Sequence, residues 1–103
     1  MIETLKKIFG IGPKVDLGQL IGEGAVIVDV RTTGEFTSGH LKNSVNIPLD
    51  KLSSQLSKLK KEKVIITCCA SGMRSASAKS ILKSSGYQVY NGGSWMNLRK
   101  FDK

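Results

Sequence analysis

The sequence predicts a single α/β domain with a mostly parallel central sheet and helices on both faces. Three observations point there. The chain has 103 residues, 40% of them apolar, enough for one core without staples, since a domain of this size buries well over about 60% of its unfolded surface. Two short runs, Ala25-Val26-Ile27-Val28-Asp29-Val30 and Lys63-Val64-Ile65-Ile66-Thr67-Cys68, are almost continuously apolar and β-branched, the mark of strands buried on both faces. Helix-like segments alternate with these strands, the order that yields βα units.

The elements follow in order. Residues 1–14 read as an N-terminal extension and 15–103 as the domain. Ile2, Leu5, Ile8 and Phe9 outline a short amphipathic helix over 1–9, stopped by Gly10, Gly12 and Pro13. A short helix over 15–21 ends at the Gly22/Gly24 turn, and the first strand covers 25–30. Thr32 and Glu35, three apart, match a capping box and predict a helix over 33–38. A strand over 44–47 ends at Pro48. Asp50 is placed to cap a helix whose Leu49, Leu52, Leu56 and Leu59 share one face. The second buried strand covers 63–68. A helix over 74–85, with Ala78, Ile81 and Leu82 inward, closes at Gly86. A final strand over 88–90 and a terminal helix over 94–101 complete the chain.

Composition narrows the function. Sixteen Lys and Arg against eight Asp and Glu give a formal net charge of +8, which attracts anions: small oxyanions, acidic proteins or nucleic acid. Only Arg31, Arg74 and Arg99 are arginines, and no nucleic-acid motif is present, so nucleic acid is not an expected partner. No run approaches the ~18 apolar residues of a membrane span, and no secretory signal is visible. The expected setting is the cytoplasm, with no membrane partner. Cys68 and Cys69 are adjacent, which is neither a disulfide framework nor a CxxC pair. With His40 the single histidine, a tetrahedral zinc site lacks ligands, and no metal or cofactor is expected.

The chemistry concentrates in Cys69-Ala70-Ser71-Gly72-Met73-Arg74-Ser75, a strand–loop–helix junction. Sites in parallel α/β sheets form beyond the carboxyl ends of strands. A helix N-terminus supplies free N–H groups and partial positive charge that favour a thiolate. Gly72 lets the loop curl into an anion cradle, and Arg74 adds a fixed positive charge. Cysteine at the end of a buried strand is otherwise a packing residue, and Cys68 is read that way.

This loop resembles the C-x-x-G-x-R-S active-site loop of single-domain rhodaneses, which are sulfurtransferases. Two further stretches agree. Asp29-Val30-Arg31, Glu35-Phe36, Gly39-His40-Leu41 and Asn46-Ile47-Pro48 are similar to that family's D-V-R…E-[FY]-x-x-G-H-[IL]…N-[IV]-P region. Gly86-Tyr87, Val89 and Gly92-Gly93 are similar to its closing G-[YF]-x-V-x-x-x-G-G. The resemblance covers residues 15 to 101, and three motifs in order and spacing are far more specific than one. It implies a single rhodanese-like domain. Cys69 is then the nucleophile that holds a sulfane sulfur as a persulfide, and the N–H groups of Ala70, Ser71, Gly72, Met73, Arg74 and Ser75 cradle it. Arg74 closes the loop and helps bind an anionic donor such as thiosulfate. The implied reaction is ping-pong covalent catalysis with a thiol or protein as acceptor, and the expected state is a monomer. Asp29, Arg31, Glu35 and His40 are expected to form a buried polar network tying the first strand to its loop. One departure concerns Trp95, which stands two residues beyond Gly93. The family often places a tryptophan four beyond, where Asn97 stands here, so the packing of the terminal helix is open.

Two alternatives remain from the residues. Cys68 to Arg74 has the C-x5-R spacing of tyrosine phosphatases and arsenate reductases, with Cys68 as nucleophile. A non-enzymatic sulfur carrier or interaction domain uses the same Cys69 persulfide. Against the phosphatase stand Thr67, where those enzymes often carry histidine, and the lack of an obvious general acid. Cys68 as a thiol that protects Cys69 from over-oxidation is a further expectation to test.

Overall fold

Alternation of side chains along the strands sorts the apolar residues into two cores, one on each side of a four-stranded sheet. In the computed structural model, which describes residues 15–102, β1 (Val26–Asp29) and β3 (Ile65–Cys69) pair in parallel at the centre. The helix expected over 1–9 and the boundary at 14 lie outside the described residues. β2 (Val45–Asn46) pairs with β1, and β4 (Val89–Ser94) with β3, both parallel, giving the order β2-β1-β3-β4. The expected mostly parallel sheet is therefore wholly parallel among the described residues.

One core gathers Val28, Val30, Ile47, Leu52, Leu59, Ile65, Cys69, Ala78 and Leu82 under α3 (Met73–Ser84) and the 49–58 segment. The other gathers Leu41, Ile66, Cys68 and Leu98 under α1 (Leu17–Gly22) and the C-terminal segment. Helical layers on both faces match the expectation. Because neighbouring strand residues face opposite ways, Cys68 and Cys69 belong to different cores.

α2 (Thr33–Ser38) begins with the full capping box: Glu35 N–H donates to Thr32 Oγ1 at 3.2 Å, and Thr32 N–H donates to Glu35 Oε1 at 3.0 Å. The helix expected after Asp50 is instead two 3-10 segments, Leu49–Ser54 and Leu56–Lys58, broken at Gln55. Pro48 stands at the cap, and Asp50 lies in the first turn without capping it. The cause is local. Ser54 Oγ donates back to the Lys51 carbonyl, a competition that serine offers to helical hydrogen bonding. The Tyr87 hydroxyl lies 2.9 Å from both the Leu56 and Leu59 carbonyls, which stabilises the tight turns. The leucine stripe still faces the core. The terminal helix, too, is 3-10, Trp95–Phe101, with Ser94 Oγ accepting from Met96 N–H.

Connections from β1 and β3 run to opposite edges of the sheet, so the chain diverges between their carboxyl ends. That divergence is a topological switch point, where open parallel sheets bind ligands. Among the described residues no helix is long and apolar enough to cross a membrane.

Candidate active site

β3 ends at Cys69, and α3 begins three residues after Ala70. The turn between them needs Gly72, whose φ of +102° is left-handed backbone that a side chain disfavours. The curl aims N–H groups back at the sulfur. Gly72 N–H donates to Cys69 Sγ at 3.0 Å and Ser75 N–H at 3.4 Å, with the Ser75 hydroxyl also 3.4 Å away. Burial by itself pushes the Cys69 thiol up. Hydrogen bonds from the Ser75 hydroxyl and from the N–H groups of Ser75, Gly72 and Ser71 outweigh it and hold the thiol below its ordinary value.

Cys68 has the opposite environment. It is fully buried on the other face of the sheet, and burial, with the Asp29 carboxylate adding to it, pushes its thiol up to about 12. A nucleophile for a C-x5-R loop is thus turned away from that loop, and Cys68 is a packing residue, as expected.

A second layer fixes Ser75. Its hydroxyl lies 2.6 Å from Asn91 Oδ1 and 3.0 Å from the Gly72 carbonyl, while Asn91 Nδ2 donates to the same carbonyl at 3.3 Å. Thr67 Oγ1 donates to the Ser75 carbonyl at 2.9 Å. Asn91 reaches the loop because β4 carries an extra residue: Thr67 pairs with Asn91, but Cys69 pairs with Ser94. Gly92 occupies this bulge, where a Cβ would sit 2.8 Å from Ile66 Cγ2 and 2.9 Å from the Thr67 carbonyl. The sequence reading missed Asn91. Its position just before Gly92-Gly93 in the closing motif was the available signal.

The four polar residues expected to form one network divide. Arg31 is buried and binds both carboxylate oxygens of Asp29 at 2.8–3.0 Å, then the Gly39 carbonyl at 2.7 Å. Asn46 Nδ2 donates to the Asp29 and Arg31 carbonyls. That part does tie β1 to its following loop, and Trp95 roofs it, with the Arg31 guanidinium 4.6 Å from the ring centroid. His40 departs from the expectation. It is exposed, stacked on Phe36, and its Nδ1 donates to the Phe36 carbonyl at 2.7 Å. Glu35 departs too. Its carboxylate leaves the network and takes Arg74 in a bidentate pair at 2.7 and 2.9 Å. Arg74 thus closes the loop onto α2, and its own pKa is raised, chiefly by that hydrogen bond. Ala70, Ser71 and Met73 are exposed on the loop's outer side. No group of three His, Cys, Asp or Glu side chains among the described residues is placed to hold a metal ion.

A strand-end thiol ringed by the N–H groups of a helix start, on a wholly parallel α/β sheet, defines a class of cysteine-loop domain. The chain belongs to the rhodanese-like domain family, whose profile matches residues 14–96. It is 30% identical over 77 residues to a sulfurtransferase of Allochromatium vinosum, covering 75% of this chain and 67% of that protein. It is 33% identical over 70 residues to the thiosulfate sulfurtransferase GlpE of Pseudomonas savastanoi pv. phaseolicola, covering 67% of this chain and 66% of GlpE. The structure of the human single-domain sulfurtransferase TSTD1 superposes with a TM-score of 0.73 at 26% identity, over 84% of this chain and 92% of that one. The chain spans 54% of another relative, YqhL of Bacillus subtilis, and 20% of the tRNA uridine(34) hydroxylase of Cronobacter sakazakii.

Proposed function

We propose that the chain is a sulfurtransferase that carries a sulfane sulfur on Cys69. The observation that carries this reading is the ring of donors around Sγ: Gly72 N–H at 3.0 Å and Ser75 N–H at 3.4 Å. Such a ring stabilises a thiolate before transfer and a persulfide anion after it. The Ser71 N–H adds to this ring, and we assign the other loop N–H groups, of Ala70, Met73 and Arg74, to the second sulfur of the persulfide. Cys69 is buried beneath the loop, which suits a one-atom adduct better than a tetrahedral oxyanion.

With thiosulfate as donor, the Cys69 thiolate attacks the outer sulfur. The Sγ–S bond forms as the bond to the sulfonate sulfur breaks, and sulfite leaves with the electron pair. A nucleophilic acceptor then removes the outer sulfur and restores the thiolate, with no net change of oxidation state at the protein. Cyanide serves as acceptor in the test tube, giving thiocyanate; a thiol or a partner protein is the acceptor we propose in the cell. The reading calls on no metal, cofactor, nucleic acid or membrane, and we propose that the chain acts as a monomer.

Steady-state thiocyanate formation tests it. Parallel lines on double-reciprocal plots, the ping-pong pattern, are expected, with loss of turnover in Cys69→Ser. Intersecting lines, or turnover that survives Cys69→Ser, would overturn the reading. A sulfur carrier shares the persulfide and differs in rate: slow turnover with small acceptors beside rapid transfer to one protein marks the carrier.

A further inference from the structure

We propose that Glu35 sets the donor specificity of the Cys69 loop. By occupying the Arg74 guanidinium, it turns the site away from dianionic donors and toward organic persulfides of low charge. This rests on the sulfurtransfer reading above and narrows its substrate class.

The observation is a charge count at the loop. Residues 70–75 hold one charged side chain, Arg74. Its two terminal nitrogens are bonded to the two Glu35 oxygens at 2.7 and 2.9 Å. A bidentate carboxylate uses the planar fork that would otherwise grip an oxyanion. Glu35 is in turn held by α2's capping box, since Oε1 accepts from Thr32 N–H at 3.0 Å and from Thr32 Oγ1 at 3.1 Å. The carboxylate is therefore pre-positioned by its own helix. Thiosulfate brings two negative charges to a thiolate, and needs a free cation nearby to offset the repulsion. The protein's formal charge of +8 draws anions to the surface, but that field is screened over about 10 Å and does not choose between donors at the loop. Next to Arg74, Met73 is 78% exposed, an apolar neighbour that suits an organic body rather than a sulfonate.

The favoured step balances without a co-reactant. The Cys69 thiolate attacks the terminal sulfur of R–S–SH. The Sγ–S bond forms as the original S–S bond breaks, R–S⁻ leaves with the electron pair, and the proton stays on the sulfur transferred.

The test uses the full chain, wild type and Glu35→Gln, with thiosulfate and the persulfide of 2-mercaptoethanol as donors. Glutamine is suited to the same place in a capping box, so the helix start is kept while the charge is removed. Wild type is expected to have at least a tenfold higher kcat/KM for loading from the persulfide. In Glu35→Gln the thiosulfate KM falls about fivefold, the scale of one half-exposed ion pair. The ratio of kcat/KM values moves toward thiosulfate, and added salt reduces that gain. A wild-type preference for thiosulfate, or a donor ratio unchanged by Glu35→Gln, overturns the role of Glu35 while leaving sulfurtransfer standing. No loading from either donor in wild type overturns both. The wild-type preference is a test that needs no variant.

Discussion

Removing the Ser75 hydroxyl would take one hydrogen bond from Cys69 Sγ and one from Asn91, while leaving the Ser75 N–H in place. With fewer donors, burial of the thiol gains weight. Ser75→Ala is therefore expected to shift the pH profile of Cys69 alkylation by iodoacetamide to higher pH. It also costs about 1–2 kcal/mol of stability, as a buried hydrogen bond does. A profile unmoved by the substitution would assign thiolate stabilisation to the backbone alone. Gly72→Ala tests the curl itself. At φ +102° a Cβ is strained, and a loss of about 1–2 kcal/mol in urea unfolding is expected. At this scale the sequence was informative about Cys69, Gly72, Arg74 and Ser75, because their spacing is local. Glu35 and Asn91 were not legible as partners of the loop. Glu35 meets Arg74 across 39 positions of chain and Asn91 meets Ser75 across 16, and such meetings follow from packing rather than spacing.

At the scale of elements, the Glu35–Arg74 pair joins α2 to α3. The Arg74 guanidinium first, and the Thr32 N–H second, hold the Glu35 carboxyl at about 2. The folded chain therefore takes up this proton at lower pH than the unfolded chain, whose carboxyl titrates in the ordinary range. The pair's contribution is complete above about pH 4.5 and is lost as pH falls toward 2. Both side chains are 36% exposed, so the contribution is small and salt-sensitive. The urea midpoint of wild type is expected to decline across this window more than that of Glu35→Gln; equal declines would mean the pair does not stabilise the fold. Leu82, fully buried under α3, gives a larger effect: Leu82→Ala costs about 2–5 kcal/mol. Elements with strong local signals were legible, among them the capping box of α2 and the β-branched runs of β1 and β3. The two 3-10 regions were read as α-helices. Their leucine and aromatic spacing reports which face is buried, whereas the tight winding comes from Ser54, Tyr87 and Ser94 contacts that periodicity does not encode. The β4 bulge was missed for the same reason. Its glycines were visible, but the register they permit depends on the approach of Ile66 and Thr67.

For the whole molecule, topology and charge act together. The order β2-β1-β3-β4 parts the chain between β1 and β3, and the turns and helix starts that follow these strands supply Glu35 and the Cys69 ring. Alternation along β3 sends Cys68 into one core and Cys69 into the other, so two adjacent cysteines have unlike chemistry. Cys68→Ser is accordingly expected to leave the peroxide sensitivity of Cys69 unchanged, since a resolving thiol must reach the sulfur it protects. A change in sensitivity would contradict that placement.

The most direct measurement is the intact mass of wild type, Cys68→Ser and Cys69→Ser after incubation with excess thiosulfate or 2-mercaptoethanol persulfide, then again after cyanide. A gain of one sulfur atom that requires Cys69, survives loss of Cys68 and disappears with cyanide is the predicted result. A gain that follows Cys68, or no gain from either donor, would contradict sulfur transfer through Cys69.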